Sequence, residues 1–278
     1  MNIFKLKIFI KGSGCCNQLI QFINGIMVAK YFNKQKIVCE GFYIDSLDEN
    51  KKTKISEIFD IEKLNIFLES QFNVVIFDRI DSIFENDDIS EYFYNFLWMN
   101  SINKDIFDTI LQNLPIHKNI SNLHQDFNIF IPKFEKINVI HLRCEHDACE
   151  HWSKSNSMNA IEFRDILYSR YINIIKEYIT KNELTILLCY DIDNEVIRYM
   201  KENEYPFYMS KKLKDREINA LVDLSLGSYA NNVFVGNFNL KTYSGSTFSY
   251  FLYKKMKNTV KKISLDLDRI NDDVQVTF

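Results

Sequence analysis

The chain of 278 residues has no surplus of positive charge: 34 Lys and Arg stand against 37 Asp and Glu, a net charge of -3. A phosphate backbone rewards surplus cations, so nucleic acid is excluded as the main partner, while local basic patches survive that test. No apolar run approaches the ~18 residues of a membrane-spanning helix, which excludes an integral membrane segment. The opening stretch MNIFKLKIFIKGSG threads lysines through its apolar positions and has no small-residue cleavage site. It reads as a strand and not as a signal peptide. The 6 cysteines lack the spacing of a small secreted domain, so reduced thiols in a soluble, cytoplasmic protein are the simpler expectation. Glycine (7) and proline (3) are scarce beside abundant Ile, Asn, Lys, Phe and Tyr, a compositional bias with no structural message of its own. There is no internal repeat and no low-complexity linker.

What is present is the makeup of a globular protein, 46% hydrophobic and 26% charged, long enough for one large domain or two of ordinary size. Strand-like and helix-like segments alternate. IFKLKIFI (3–10), KIVCE (36–40) and NVVIFD (73–78) read as strands. NQLIQFINGIMVAKYF carries Leu19, Phe22, Ile23, Ile26 and Met27 on a helical stripe, and a helical pattern covers roughly 90–114. The stretch 115–132 holds two prolines and looks irregular, a candidate boundary. A second series follows. INVIHLR, LTILLCY, YPFYM and NVFVG are strands, and AIEFRDILYSRYINIIKEYI is a long amphipathic helix. DNEVIRYMKEN is a helix capped by Asp193 or Asn194, DREINALVDLSLG a helix closed by Gly227, and STFSYFLYKKMK a helix opened by Ser246 or Thr247. Regular alternation with short apolar strands predicts an α/β protein with parallel sheets covered by helices. Two such halves predict two Rossmann-like domains, 1–130 and 131–278, facing across a central cleft.

In parallel sheets ligands sit beyond the carboxyl ends of the strands. Gly12, Gly14, Gly227, Gly236 and Gly245 fall at predicted element ends, and polar clusters occur at three strand ends: KGSGCCNQ, HLRCEHD and GNFNLKTYSGSTFS. The first is a glycine-rich strand-to-helix turn, either an anion cradle or a plain capped turn. It is not a Walker loop, because no Lys-Ser/Thr follows, and Asn17 stands at the third glycine position of a dinucleotide fingerprint. The third offers Gly245, Ser246, Thr247 and Ser249 at a helix start, which suits either a phosphate or an ordinary Ser/Thr cap. Arg143 ends an apolar strand; its planar fork matches phosphate oxygens, and an unpaired arginine is costly to bury. His141, two residues earlier, shares its face, as a site residue or as a satisfied core histidine. Cys144, His146, Cys149 and His151 have the residue types of a zinc site. Their spacing is wrong, because structural sites draw pairs of ligands from two separate segments. Metal binding therefore remains only as the basis of a non-catalytic alternative.

Taken together the clusters carry a resemblance. GSGCCNQLIQFINGIMVAKYFNK resembles the G-x-x-N-Q helix start of the inverting fucosyltransferases, of both the α-1,2 and the protein O-fucosyltransferase type. HLRCEHD resembles their H-x-R motif with a following acidic residue, LLCYDIDNEVIRYMKEN their mid-domain strand and acidic pair, and EINALVDLSLGSYANNVFVGN followed by SGSTFS their closing pattern. Order and spacing agree over nearly the whole chain. The resemblance implies a GT-B-like architecture, a hexosyltransferase activity with GDP-β-L-fucose as donor, inversion in one displacement, a glycan or protein acceptor, and no metal or other cofactor. It implies that Arg143 holds the β-phosphate and stabilises the leaving GDP. It implies that Gly12, Gly14, Asn17, Gln18, His141, Gly245, Ser246, Thr247, Phe248 and Ser249 line the donor site. Asp191, Asp193 or Asp223 would meet guanine or ribose. Among Glu145, Asp147 and Glu150 as general base, Asp147 holds the family's acidic slot; its alternative role is to orient Arg143 through an ion pair. The chain departs from the pattern at Cys15 and Cys16 inside the glycine turn, at Cys144, and in the insertion FNLKTYSG, which brings Lys241. A related enzyme using another nucleotide sugar is the rival reading. For the acceptor, Tyr43, Tyr92, Tyr94 and Trp98 are aromatics that either stack on a sugar or pack in the core.

Overall fold

A computed structural model describes residues 3–6, 8, 14–45, 48, 50–78, 104–129, 131–239, 241–242 and 244–278. Gly12, the helical reading over 90–103, and Tyr92, Tyr94 and Trp98 lie outside the described residues. Two units divide the chain, Met1–Leu123 with Lys212–Val222, and His124–Lys211 with Asp223–Phe278.

In the first unit the elements are β1 (Ile3–Leu6), α1 (Cys15–Tyr31), β2 (Lys36–Cys39), the short antiparallel pair β3 (Phe42–Tyr43) and β4 (Lys52–Thr53), the single turn α2 (Ile55–Ile58), α3 (Ile61–Phe72), β5 (Val75–Asp78), α4 (Lys104–Gln112) and the single turn α5 (Lys118–Ser121). The three-stranded sheet has the order β1-β2-β5 and is parallel, with Leu6, Cys39 and Asp78 in register at its carboxyl edge. The predicted stripe of α1 is buried, and so are Gln18, Gln21 and Asn24 on its other sides, so this helix runs through the interior. Gly25 permits its close approach to the sheet, since a Cβ there would lie 2.4 Å from Leu6 Cδ1. The Asp60 carboxylate caps α3 at Lys63 N, and Asn73, at φ 56°, ends it in the left-handed conformation that asparagine tolerates.

The second unit is doubly wound. Its elements are β6 (Ile137–His141), α6 (His146–Ser155), α7 (Ala160–Tyr178), β7 (Leu184–Leu188), α8 (Glu195–Glu202), β8 (Phe207–Tyr208), α9 (Arg216–Gly227), β9 (Val233–Gly236), α10 (Thr247–Lys255), β10 (Lys261–Ser264) and β11 (Gln275–Thr277). The residues of α9 up to Val222 group with the first unit and those from Asp223 with the second. The six-stranded sheet has the order β11-β10-β9-β6-β7-β8, parallel except for β11. β6 and β7 are buried at every residue, as strands covered on both faces must be, which is why they read as unbroken apolar runs. The chain winds outward from β6 through β7 to β8, then returns to β9 and β10 on the other side. The order therefore reverses between β6 and β9, and such a reversal opens a crevice at the strands' carboxyl ends. Asn159, Asn194 and Ser246 cap α7, α8 and α10 through their side chains.

Two local expectations change. The tail after Arg143, given no element in the reading of the sequence, is the helix α6, whose Ala148, Cys149 and Trp152 form a short buried stripe against α7. Gly227 is the last residue of α9 but is not a left-handed cap; positive φ among the described glycines occurs at Gly41 and Gly245. Its service is space, because a Cβ there would meet Leu252 Cδ2 at 2.1 Å. No described helix is long and apolar enough to cross a membrane.

Candidate functional site

The crevice between β6 and β9 is organised by a buried hydrogen-bond network. Tyr171, fully buried on α7, sets its Oη 2.8 Å from His141 O and 2.7 Å from Asn237 Oδ1, and accepts the Arg143 N–H at 3.2 Å. Asn237, the residue after β9, donates its Nδ2 hydrogen to His141 O at 3.0 Å and its backbone N–H to Ser249 Oγ at 2.8 Å. Ser249 Oγ lies 2.7 Å from His141 Nδ1. The same oxygen takes the Asn237 N–H, so Ser249 ties the imidazole of His141 to the end of β9. Burial, with the Arg143 charge as a lesser cause, pushes the imidazole down to about 3, so His141 is neutral near pH 7. The Phe248 ring stands 4.7 Å from the imidazole.

Arg143 leaves the strand with its backbone held and its guanidinium one-quarter exposed. Two carboxylates attend it, Glu145 at 3.0 Å and the exposed Asp147 at 3.7 Å. Glu145 is the N-cap residue of α6, yet its side chain makes no cap bond, leaving the carboxylate for Arg143. On the β9 side the chain turns back: Ser246 N donates to Asn237 O at 2.7 Å and Asn239 N to Ser244 O at 2.9 Å. Gly245 is required in this turn, at φ +110° with a would-be Cβ 2.5 Å from Asn237 O. Ser246 Oγ then accepts Ser249 N–H, and α10 starts beside the network with Thr247 and Phe248 in its first turn. The arrangement offers a cationic fork, a neutral imidazole and the positive end of a helix, a combination suited to an anion.

The other residues singled out from the sequence are distributed as follows. Asp191 and Asp193 are exposed beyond β7. Asp191 Oδ1 accepts the Asp193 N–H at 3.0 Å, and Asp193 lies 4.0 Å from Arg198. Asp223 is buried and accepts from Ser210 Oγ at 2.5 Å. Lys241 is exposed on the inserted loop, its N–H bound by Asn239. Cys144 and Cys149 point into the core of the second unit, where burial pushes both thiols up, Cys149 to about 11. His146 instead lies on the surface, 3.2 Å from Glu150, and His151 packs edge-on against Trp152. The Cys/His tail thus splits between core and solvent, and no described group of three His, Cys, Asp or Glu side chains is placed to hold a metal.

The glycine-rich turn belongs to the first unit. Gly14 is the extended N-cap residue of α1 and supplies no side chain. The helix's first N–H, from Cys15, is taken instead by the carboxylate of Glu217 on α9. Gln18 is fully buried and spends both ends of its amide on the Tyr43 backbone, at 3.0 and 2.9 Å, which fixes β3. Asn17 is half-buried in the next position. Tyr171, Asn237 and Glu217 are the residues that sequence reasoning passed over. Asn237 directly follows a strand end and was open to discovery by that rule. Tyr171 and Glu217 sit mid-pattern on amphipathic helices and give no local signal.

No family model matches the sequence, and no curated protein does. The fold, however, is similar to solved structures over nearly the whole chain. One is the α-1,6-fucosyltransferase NodZ soaked with GDP-fucose (TM-score 0.62, 11% identity, 99% of this chain and 98% of that one). A second is the fucosyltransferase NodZ from Bradyrhizobium (TM-score 0.60, 11% identity, 99% and 97%). A third is POFUT1 in complex with GDP-fucose (TM-score 0.56, 12% identity, 91% and 93%). The chain has the GT-B-like α/β fold of these enzymes.

Proposed function

We propose that this protein is an inverting fucosyltransferase that moves L-fucose from GDP-β-L-fucose to a hydroxyl of a glycan or protein. The observation that carries the proposal is Arg143, held just past the end of β6 by the Tyr171 network at the reversal of strand order. The whole-chain likeness to fucosyltransferases whose structures hold GDP-fucose selects the donor. In this reading the half from 131 to 278 is the donor side and the half from 1 to 130 the acceptor side.

As the bond from fucose to GDP breaks, negative charge grows on the diphosphate, and a guanidinium fixed in advance stabilises it without reorganising. The β-phosphate takes the fork of Arg143 and displaces the longer of its two ion pairs, to Asp147; Glu145 stays and orients the fork. The start of α10, with Ser246, Thr247, Phe248 and Ser249 after Gly245, meets the diphosphate through hydroxyls and the helix end. His141, neutral, meets the nucleotide without adding charge. Asp223, Asp191 or Asp193 accepts from guanine or ribose. Positive charge for the leaving group comes from the protein, so turnover proceeds without a metal, and the enzyme works in the cytoplasm.

The test is a thermal-shift comparison of GDP-fucose with UDP, ADP and TDP sugars, repeated on Arg143→Ala. Guanosine-selective stabilisation that Arg143→Ala abolishes is the expected result, together with turnover that survives a chelator. Preference for another nucleotide, or normal turnover by Arg143→Ala, refutes the reading.

A further inference from the structure

Charge is unevenly placed along the second unit. From Leu224 to Leu265 there is no Asp or Glu, and all but one of the lysines in that stretch crowd together as Lys254, Lys255, Lys257, Lys261 and Lys262. In a chain of net charge -3 this is a concentrated block of the opposite sign. Lys254 and Lys255 end α10, where the negative end of a helix accounts for them. Lys257 stands exposed in the turn that follows, and Lys261 and Lys262 open β10, so the helix end does not account for these three.

The fold gathers the block at one end of the sheet. β11 pairs antiparallel with β10, Lys262 opposite Thr277 and Ile263 opposite Val276. Residues opposite one another in a ladder share a face, and neighbours along a strand alternate. Lys261 therefore lies on the face of Ile263, Val276 and Phe278. Its ammonium stands 5.2 Å from the centre of the Tyr178 ring and 5.7 Å from that of Phe278. On the other face the Lys262 ammonium stands 4.6 Å from the Tyr253 ring, which Lys254 also approaches, at 5.9 Å. Burial first, and then the Lys254 charge, pulls the Lys262 ammonium below its usual value. The cations are thus close enough to repel, and an anion laid against them relieves that repulsion. Apolar surface adjoins the charge. Phe278 is 75% exposed and Val276 41% exposed, on the same face of β11, which is an edge strand.

A polyanion in solution needs only the charge. Lysines set beside exposed aromatic and aliphatic side chains match the margin of an anionic bilayer, where ammonium groups meet headgroups and rings reach the acyl boundary. The block lies at the amino end of β10, whereas Arg143 and the start of α10 lie at the carboxyl ends of the parallel strands. A surface held at one end of the sheet leaves the crevice at the other end open.

We propose that this end of the second unit docks on an anionic lipid surface, with Lys254, Lys257 and Lys261 at the headgroups and Val276 and Phe278 at the acyl margin. The proposal goes beyond the transfer reading and does not depend on it.

The experiment is flotation of the full chain with vesicles of phosphatidylcholine alone and of phosphatidylcholine and phosphatidylglycerol in equal parts. The expected result is binding to the mixed vesicles only, lost at about 1 M salt, where the screening length falls to about 3 Å. Each lysine near an anionic surface is worth about fivefold in partition, so Lys257→Ala weakens binding about fivefold and Lys257→Ala with Lys261→Ala about 25-fold. Lys257→Arg keeps the charge and binds as wild type. Phe278→Ser weakens binding about tenfold through lost apolar contact. Lys257 is exposed in a turn, so its two variants decide the question if the double variant melts early. No binding to the mixed vesicles, equal binding to both kinds, or binding that Lys257→Ala and Phe278→Ser leave unchanged overturns the proposal. Capture by immobilised heparin without vesicle binding assigns the block to a polyanion in solution and overturns it as well.

Discussion

Replacing Tyr171 by Phe removes one oxygen and leaves the packing of a fully buried ring in place. Burial, with Cys144 nearby as a lesser cause, pushes the phenol well above its usual range, so its hydrogen is present at every working pH. Three groups touch that oxygen. His141 O keeps a donor after the change, because Asn237 Nδ2 also reaches it. The Arg143 N–H loses its acceptor, and Asn237 Oδ1 loses its hydrogen. An orphaned buried group costs about 1–3 kcal/mol. The half-buried Arg143 N–H belongs at the lower end of that range, where water can relieve it, and the fully buried Asn237 oxygen higher, so the change costs about 2–4 kcal/mol in all. At about 2–4 °C per kcal/mol for a chain of this size, the second unit melts about 5–15 °C lower. Urea and thermal unfolding measure the loss, and calorimetry with GDP-fucose measures whether a loosened Arg143 weakens the donor. A destabilisation under about 0.5 kcal/mol with unchanged donor affinity would refute the idea that this hydroxyl anchors the site.

Two further outcomes test the rest of the second unit. Gly245→Ala forces a Cβ onto a backbone at φ +110°, 2.5 Å from Asn237 O; a cost of about 1–3 kcal/mol is expected in melting, together with weaker GDP binding as Ser246 and the start of α10 shift. Glu183, buried directly before β7, would be raised by burial alone, but hydrogen bonds from Asn138 and the Thr180 N–H, and the Lys136 ammonium, bring it below its usual value. A depressed carboxylate contributes stability that is complete above its unfolded value, near ~4.3, and fades as pH falls through the lower folded one. Wild type should therefore lose more stability than Glu183→Gln between pH 7 and pH 3 in chemical denaturation, and parallel losses would refute that role.

The sequence by itself determined β6, β7, β8 and β9, the helices α7, α8, α9 and α10, and the strand ends at which chemistry was to be sought, but not α6, β10 or β11. Buried parallel strands must be apolar at every position, caps need Ser or Asn, and a turn at positive φ needs Gly. These are local constraints, and INVIHLR, LTILLCY, NVFVG, Asn194, Ser246 and Gly245 display them without reference to anything distant. Arg143 was legible for the same reason, as a charge that a buried strand does not tolerate except at its end. The tertiary structure decided what those residues meet. Only strand order puts β9 beside β6, so that Ser249 and Asn237, about a hundred residues further along, reach the ring and the carbonyl of His141. Only the fold sends Cys144 and Cys149 inward and His146 outward: Cys144 is buried in the core before α6 starts, Cys149 joins Ala148 and Trp152 on the buried side of that helix, and His146 opens it on the exposed side. Only the fold brings Glu217 to the start of α1, where a glycine had left a helix without its cap. Periodicity reports which face of an element is buried; which distant partner completes a hydrogen bond there depends on packing geometry that no local pattern encodes.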